Sequence, residues 1–450
     1  MIDNESTTLS TYVGAASAIL ASILGSTVLI LSLQISSTFL PKDVIRAHVS
    51  EGFENGALPL HEFPPDRFGL VRFFFVECEV LAMTFDARER LEQAVSPRII
   101  REKNWKHSCA LLERFSRGVE PEHHYYKHRY WFGVKPMLQL LLTLTDMETT
   151  QWLSLLVCVC CIATLPLAAW RNARHCLPQA TTIGACALLL SGLATFSPLI
   201  THTAGFAFGF AASALLLTLR QFRRSGPRLV ALAAAIGMLT WYVDVFLNAP
   251  MVMVLTFYVV YIADRDCAAA TDRLRQAVIC LVGFTTGFAA SILLKNTLAW
   301  LAGFGGVWGA FVAHTLRRMD LADYPLPDVD PFLAVYANVR YIAFGSTTAG
   351  LFVTSFAALL FLVSLAWRIC RSRGRPDREI LVNLTMIAAS MLLLISWFYV
   401  FRNTVIIHAP HFSRHLFLMI ALLLVASIDL VATRPVRRDA TRNNVRTSSG

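Results

Sequence analysis

Apolar stretches long enough to cross a bilayer recur along almost the whole chain, and that repetition leaves few folds open. A helix needs about 20 mostly apolar residues to traverse ~30 Å of hydrocarbon. Such stretches fall at roughly 13–35, 151–170, 180–200, 205–219, 229–246, 249–263, 277–294, 341–367, 380–400 and 415–433. With 55% hydrophobic residues over 450 positions, a soluble globular chain is excluded. Lipid offers the backbone no hydrogen bonds, so apolar spans of this length must be helical. The expected fold class is therefore an all-α integral membrane protein with about ten transmembrane helices. One polytopic membrane domain covers 1–433, and the basic tail 434–450 reads as disordered.

Arginine sets the orientation. Short connections at 171–179, 220–228, 264–276 and 368–379 are arginine-rich, as is the tail, whereas 201–204 and 247–248 carry no Lys or Arg. By the positive-inside rule the arginine-rich side is cytoplasmic, with both termini there. The net charge of +10 sits largely in those inner loops, so it reports topology and calls for no nucleic-acid partner. Every lysine, and every histidine except His175, falls on the opposite side. Asp429 sits near the inner side, where Arg434 is its expected partner. The run at 13–35 has no preceding Lys or Arg and no small-x-small cleavage site after it, which makes it an anchor rather than a signal peptide.

The largest extracytoplasmic piece is the first loop, 36–150. Its apolar run Gly69–Phe85 contains Arg72, Glu77 and Glu79, each costly at mid-bilayer, so a helix lying in the outer interface is expected there. Val134–Leu144 is too short to span and reads the same way, behind an aromatic run from Tyr125 to Trp131. Residues 295–317 are glycine-rich and bracketed by Lys295 and Arg317. Counting them as a span would place the five-arginine loop 368–379 outside, so 295–340 reads as an external re-entrant or interfacial segment. Among the cysteines only Cys78 and Cys109 are external; an oxidising compartment permits a bridge between them, and two separate thiols remain the alternative.

Candidate chemistry gathers on the outer side. Glu77 and Glu79 lie in Val-Glu-Cys-Glu-Val, where apolar neighbours would raise a carboxylate pKa toward that of a general acid or base; the alternative is the polar edge of an amphipathic helix. His408, His411 and Arg414 share the short loop before the last span. Pro410 precedes His411 and no Glu lies between the histidines, which argues against a zinc site and for donors facing an anionic headgroup. Asp244 ends the fifth span, either as a functional carboxylate or in a structural turn with Asn248. His202 marks the outer end of the third span, and Lys295 and Arg317 read as snorkelling anchors or ligands. Carboxylates and cations at one rim suit transfer from a lipid-linked phosphate, the carboxylate taking the acceptor's proton and the cations stabilising the departing phosphate. No particular cofactor is required, and a divalent metal is compatible with the donors.

Several runs in the chain carry a resemblance. Glu77-Cys78 stands where related proteins have an Asp-Cys pair. Arg129-Tyr130-Trp131-Phe132-Gly133 stands for an Arg-Tyr-Trp-His-Gly run. The turn from Asp244 to Pro250 and the external helix from Lys295 to Arg317 follow in order. In the last external loop Asn403, His408 and Arg414 keep the spacing of an Asn-His-Ser-x-x-His-x-x-Phe-x-x-Arg signature, with Thr404 for the first histidine and His411 for the phenylalanine. Together with the large first loop, these runs resemble GT-C-class, polyprenyl-phosphate-dependent glycosyltransferases of bacterial membranes.

The resemblance implies a GT-C-like fold in the bacterial inner (cytoplasmic) membrane. It also implies a polyprenyl-phosphate-linked sugar donor, a glycan or lipid-linked acceptor, Glu77 ahead of Glu79 as catalytic carboxylate, and Arg129, Tyr130, Trp131, His202, Asp244, Lys295, Arg317, Asn403, His408, His411 and Arg414 around the substrates. A glycolipid transporter or flippase is the main alternative, although no internal repeat or mid-bilayer polar cluster supports it. A surface-glycan polymerase or ligase is a third reading. The orientation is checked by impermeant thiol labelling of intact cells. Cysteines introduced as Asn55→Cys or Pro325→Cys should react, and those at Ser225→Cys or Gly374→Cys should not; the reverse pattern inverts the topology.

Overall fold

The computed structural model describes residues 2–64, 72, 74–86, 88–100, 108–122, 124–126, 130–196, 198–244, 247–265, 268–319, 338–342, 346–371, 378–401 and 409–432. They are almost entirely helical. The chain begins with α1 (Ile2–Ser37) and passes into the elements of the first loop. These are α2 (Lys42–Glu54), α3 (Phe74–Met83), α4 (Arg90–Val95), β1 (Arg98–Ile100), α5 (Ser108–Ser116), β2 (His124–Tyr126) and α6 (Val134–Leu144). The bundle continues with α7 (Met147–Asn172), α8 (Leu177–Leu190), α9 (Leu193–Phe196), α10 (Ile200–Thr218), α11 (Arg220–Arg223), α12 (Gly226–Val243) and α13 (Ala249–Ala263). It closes with α14 (Ala270–Leu301), α15 (Val307–Met319), α16 (Thr347–Arg371), α17 (Arg378–Val400) and α18 (Ala409–Ala432).

Among the described residues, 8 helices are long and apolar enough to cross a membrane: Val13–Ser37 of α1, then α7, α10, α12, α14, α16, α17 and Ser413–Ala432 of α18. The chain is a multi-pass, all-α membrane protein. The outward faces carry large apolar side chains, Phe352 at 68% exposure and Leu362 at 58% on α16 among them, as expected where lipid is the solvent. Two of the stretches expected to span form shorter helices. The 180–200 stretch yields only the 14 residues of α8; Gly192 then turns the chain at φ 75°, and α9 and Pro198 follow. Position 197 precedes a proline and is biased away from helix, so α10 starts afresh at Ile200. The 249–263 stretch is α13, 15 residues long. It is buried on nearly every face and packs against α10, α14, α17 and α18.

The closest helix pair is α12 with α14. Cβ atoms on Gly237, Gly283 and Gly287 would fall inside van der Waals contact with the carbonyl oxygens of Phe284, Val230 and Ala234. Small residues at such a crossing let the backbones touch, which is how helices associate where lipid removes the hydrophobic drive. Lengthwise, α14 departs from expectation: it runs unbroken through Lys295 to Leu301 before a turn at Gly303 and Gly306. The segment 295–317 is thus the end of one long helix and then the amphipathic α15, not a single re-entrant unit.

The first loop packs onto the ends of the bundle. Cys78 and Cys109 form a disulfide joining α3 to α5. Phe74 and every residue from Glu77 to Met83 are buried, so α3 is a core helix of the first loop. The Gln34 amide of α1 donates to the Trp131 carbonyl at 2.7 Å. Gly133 N–H donates to the Tyr242 carbonyl at 2.7 Å, with no room for a side chain at Gly133 beside the Tyr242 ring. Between these contacts Phe132 is held at φ 51°, a left-handed conformation that a bulky residue adopts only when its surroundings impose it.

Charged contacts hold the opposite end of the bundle together. Arg223 pairs with Asp264 at 3.2 Å, Arg265 with Asp429 at 2.6 Å and Arg273 with Glu379 at 3.3 Å. Asp429 also accepts from the Gln179 amide at 2.7 Å. Its partners are Arg265 and Gln179; Arg434, its expected partner, lies outside the described residues.

Because Gly287 faces backbone that cannot yield, Gly287→Val should cost about 1–3 kcal/mol or more. In detergent this reads as a lowered unfolding midpoint. Gly14→Val, with open space around it, should leave the midpoint unchanged.

Candidate functional site

A helix starts with backbone N–H groups that have no intrahelical partner. At the start of α10 these groups are buried, and Glu77 of α3 supplies the acceptors. Its carboxylate receives the Ile200 N–H at 3.3 Å, the Thr201 N–H at 3.0 Å and the Thr201 hydroxyl at 2.7 Å. A negative charge at a helix N-terminus is electrostatically favourable. Burial outweighs these contacts: desolvation is the largest influence and pushes the Glu77 carboxyl up to about 7, with the Thr201 and Ile200 hydrogen bonds pulling the other way. Glu79, two residues on, is also buried. Residues i and i+2 of a helix point to different faces, so the two glutamates do not serve one site.

One turn further, the His202 carbonyl accepts from Arg414 Nη1 at 3.2 Å, and the same nitrogen donates to Asn248 Oδ1 at 2.9 Å. The guanidinium lies over the Phe196 ring, 3.7 Å from its centroid. Asn248 in turn donates its amide to Asp244 Oδ1 at 2.9 Å, and Asp244 Oδ2 accepts the backbone N–H of Asn248 at 2.7 Å and of Ala249 at 3.2 Å. Asp244 therefore builds the structural turn into α13, and through Asn248 that turn is joined to Arg414. Gly205 is required here, since a Cβ would sit 2.7 Å from Asp244 Oδ1.

The first turn of α10 thus carries two contacts: Glu77 receives the amides of Ile200 and Thr201, and the His202 carbonyl receives Arg414, which is linked through Asn248 to Asp244. Sequence reasoning weighed Asn248 only as a turn residue and missed Thr201, Gly205 and Phe196. The signal that could have found them is the break at Pro198, which opens a helix N-terminus beside His202.

Lys295, Trp131 and Tyr130 form a different group. Lys295 donates to the carbonyls of Ala94 and Val95 and sits 4.8 Å from the centroid of the Trp131 ring. Trp131 Nε1 donates to Ser291 Oγ at 3.1 Å, and Tyr130 packs on Trp241. Lys135 Nζ donates to the Gln93 carbonyl at 3.3 Å, and burial lowers its pKa to about 8. Two lysines thus collect the last carbonyls of α4, where cations complement the helix dipole. Lys295 is engaged in docking the loop rather than placed beside Arg414. Arg317 and His411 lie on α15 and α18 respectively, with side chains outside the described ones; Arg129, Asn403 and His408 lie outside the described residues altogether. Among the described residues no group of three His, Cys, Asp or Glu is arranged to hold a metal ion.

Beside the Glu77 cap lies a cavity of about 710 Å3 lined by Arg72, Phe74, Glu148, Gln151, Trp152 and Pro198, among others. Phe74 is one helical turn before Glu77, and Pro198 is two residues before Ile200. One wall is the lipid-facing side of α7, where Trp152 is 64% exposed. The cavity therefore combines an ionic rim with an apolar side.

No protein-family model, no curated protein and no solved structure matches the chain.

The Glu77 cap carries a pH signature. From about pH 4.5 to 7 the folded protein keeps a proton that the unfolded chain has lost. Stability is therefore highest below that window and falls as pH rises through it, by an amount on the order of 3 kcal/mol. Glu77→Gln retains an acceptor for the amides and removes the titration. Between about pH 5 and 8 the wild-type unfolding midpoint should fall relative to that of Glu77→Gln; parallel curves would show that Glu77 does not titrate there.

Proposed function

We propose that the chain is a membrane glycosyltransferase that takes a sugar from a polyprenyl-phosphate donor at the outer rim and passes it to a glycan or lipid-linked acceptor. The observation that carries this reading is the convergence of a near-neutral carboxylate, Glu77, and a buried guanidinium, Arg414, at one helix start beside a cavity open to the lipid face. These are the two chemical types needed when an acceptor hydroxyl displaces a phosphate from the anomeric carbon of a sugar: a base for the hydroxyl proton and a cation for the departing phosphate. Glu77 takes the proton of the acceptor hydroxyl. Arg414 stabilises the departing phosphate, and Asp244 and Asn248 hold its guanidinium in place. The donor's isoprenoid chain runs along the Trp152 face of α7, with Arg72 at the cavity rim and the donor phosphate directed inward past Pro198 toward Arg414. Access to Glu77 is by displacement of Phe74 or Pro198 from the cavity wall.

The topology that goes with this function has ten crossings, α8 and α13 completing the eight long helices, with both termini in the cytoplasm of a bacterial cell. The Cys78–Cys109 disulfide supports placing the first loop on the oxidising side.

The test is transfer of labelled sugar from polyprenyl donors in membranes containing each variant. Glu77→Gln should insert and fold normally while losing roughly 10²–10⁴-fold in rate, the usual worth of general base catalysis. Arg414→Lys keeps the charge but loses the planar fork, and should raise the donor KM by roughly tenfold. Unchanged transfer by Glu77→Gln would overturn the assignment. A flippase would relocate glycolipid without forming a glycosidic bond, which the mass of the product distinguishes.

A further inference from the structure

The end of α12 remote from Asp244 holds a second cavity, of about 470 Å3, between the α11–α12 turn, the end of α13 and the first turns of α14. An 18-residue helix separates it from the Glu77 cluster by about 27 Å, so it is a separate site. Its charged lining is Arg223, Arg224, Arg275, Asp264 and Asp272. Arg223 and Asp264 neutralise each other: Arg223 is fully buried, pairs with Asp264 at 3.2 Å and donates to the Leu217 carbonyl at 2.8 Å. That pair is wall. Among the described lining residues Arg224 and Arg275 are exposed at the mouth against one exposed carboxylate, Asp272, which leaves that set of charges cationic.

Three further features narrow the ligand. Ser225, the residue before α12, makes no side-chain cap bond, so the amides of that helix start add positive potential beside the arginines. The Gln276 side chain lines the cavity, and its Oε1 is buried with no hydrogen-bond partner among the described residues. An unsatisfied buried acceptor is costly, and rotation of the Gln276 amide toward the cavity lets a hydroxyl donor relieve it. Past Gln276 the lining becomes Ile279, and further along α14 Val278 and Val282 are 46% and 50% exposed on the face turned to lipid. Phosphate near the arginines, hydroxyl near Gln276 and hydrocarbon along α14 describe one amphiphile.

We propose that this cavity binds the phosphate of an anionic glycerophospholipid, held by Arg224 and Arg275, with a headgroup hydroxyl donating to Gln276. A zwitterionic headgroup would bring an ammonium against the two guanidiniums and is disfavoured. The bound lipid bridges α12 and α14 at the arginine-rich end and stabilises the folded state by mass action.

The test uses the full chain in neutral detergent, reading the unfolding midpoint with added phosphatidylglycerol, phosphatidylcholine or glycerol 3-phosphate. Phosphatidylglycerol should raise the midpoint, and phosphatidylcholine should not. The combined Arg224→Gln and Arg275→Gln variant, changed at exposed positions, should keep its lipid-free midpoint and bind phosphatidylglycerol at least about tenfold more weakly. Arg371→Gln, an exposed arginine at the end of α16, should bind as wild type does. A full shift from glycerol 3-phosphate alone would support the phosphate site and overturn its lipid occupant. An equal loss in Arg371→Gln, or no loss in the double variant, would overturn the site, since either outcome means general attraction to a basic face.

Discussion

The buried start of α10 is the constraint around which the end of the bundle that carries the first loop is organised. Amide groups shut away from water must find acceptors, and here they find the carboxylate of Glu77, carried by a helix of the first loop. That contact ties the loop to the bundle. It also brings a carboxyl pushed up to about 7 next to the helix turn whose His202 carbonyl receives Arg414. The disulfide from Cys78, the residue after Glu77, fixes α3 against α5. Structural anchoring and chemical readiness thus come from one arrangement: burial that makes the cap necessary also raises the proton affinity of the group supplying it.

Two charged regions at opposite ends of α12 differ in kind. At the Asp244 end the charges are sealed inside, linked through Asn248 to Arg414. At the Gly226 end buried pairs such as Arg223–Asp264 form a floor beneath exposed arginines. Between them the glycines of α12 and α14 hold the two backbones in contact.

Much of the site was legible in part. Glu77, His202, Asp244 and Arg414 were each singled out by polarity within or at the end of an apolar stretch; Glu77 and His202 share the first turn of α10, and Arg414 and Asp244 are linked through Asn248. Lys295 looked equivalent and is not: it is engaged by the carbonyls of Ala94 and Val95 and by the Trp131 ring. Nothing local to Lys295 distinguishes it from a phosphate ligand, since its partners lie 200 or 201 residues away in the chain. The same limit applies to Glu79, whose neighbours are those of Glu77 but whose face is the opposite one.

Hydrophobic length is a property of short segments, so the sequence by itself determined that this is a helical, multi-pass membrane protein. Tertiary structure decided where the 180–200 stretch breaks, that α14 runs on through Lys295, and that α3 is buried. It also decided that Cys78 meets Cys109 and that the Glu77 carboxylate faces the amides of α10. Each of these depends on contacts between residues far apart in the chain. A bilayer constrains how long a helix is, but only the packing of one helix against another says which of its faces is buried and what its end must bind.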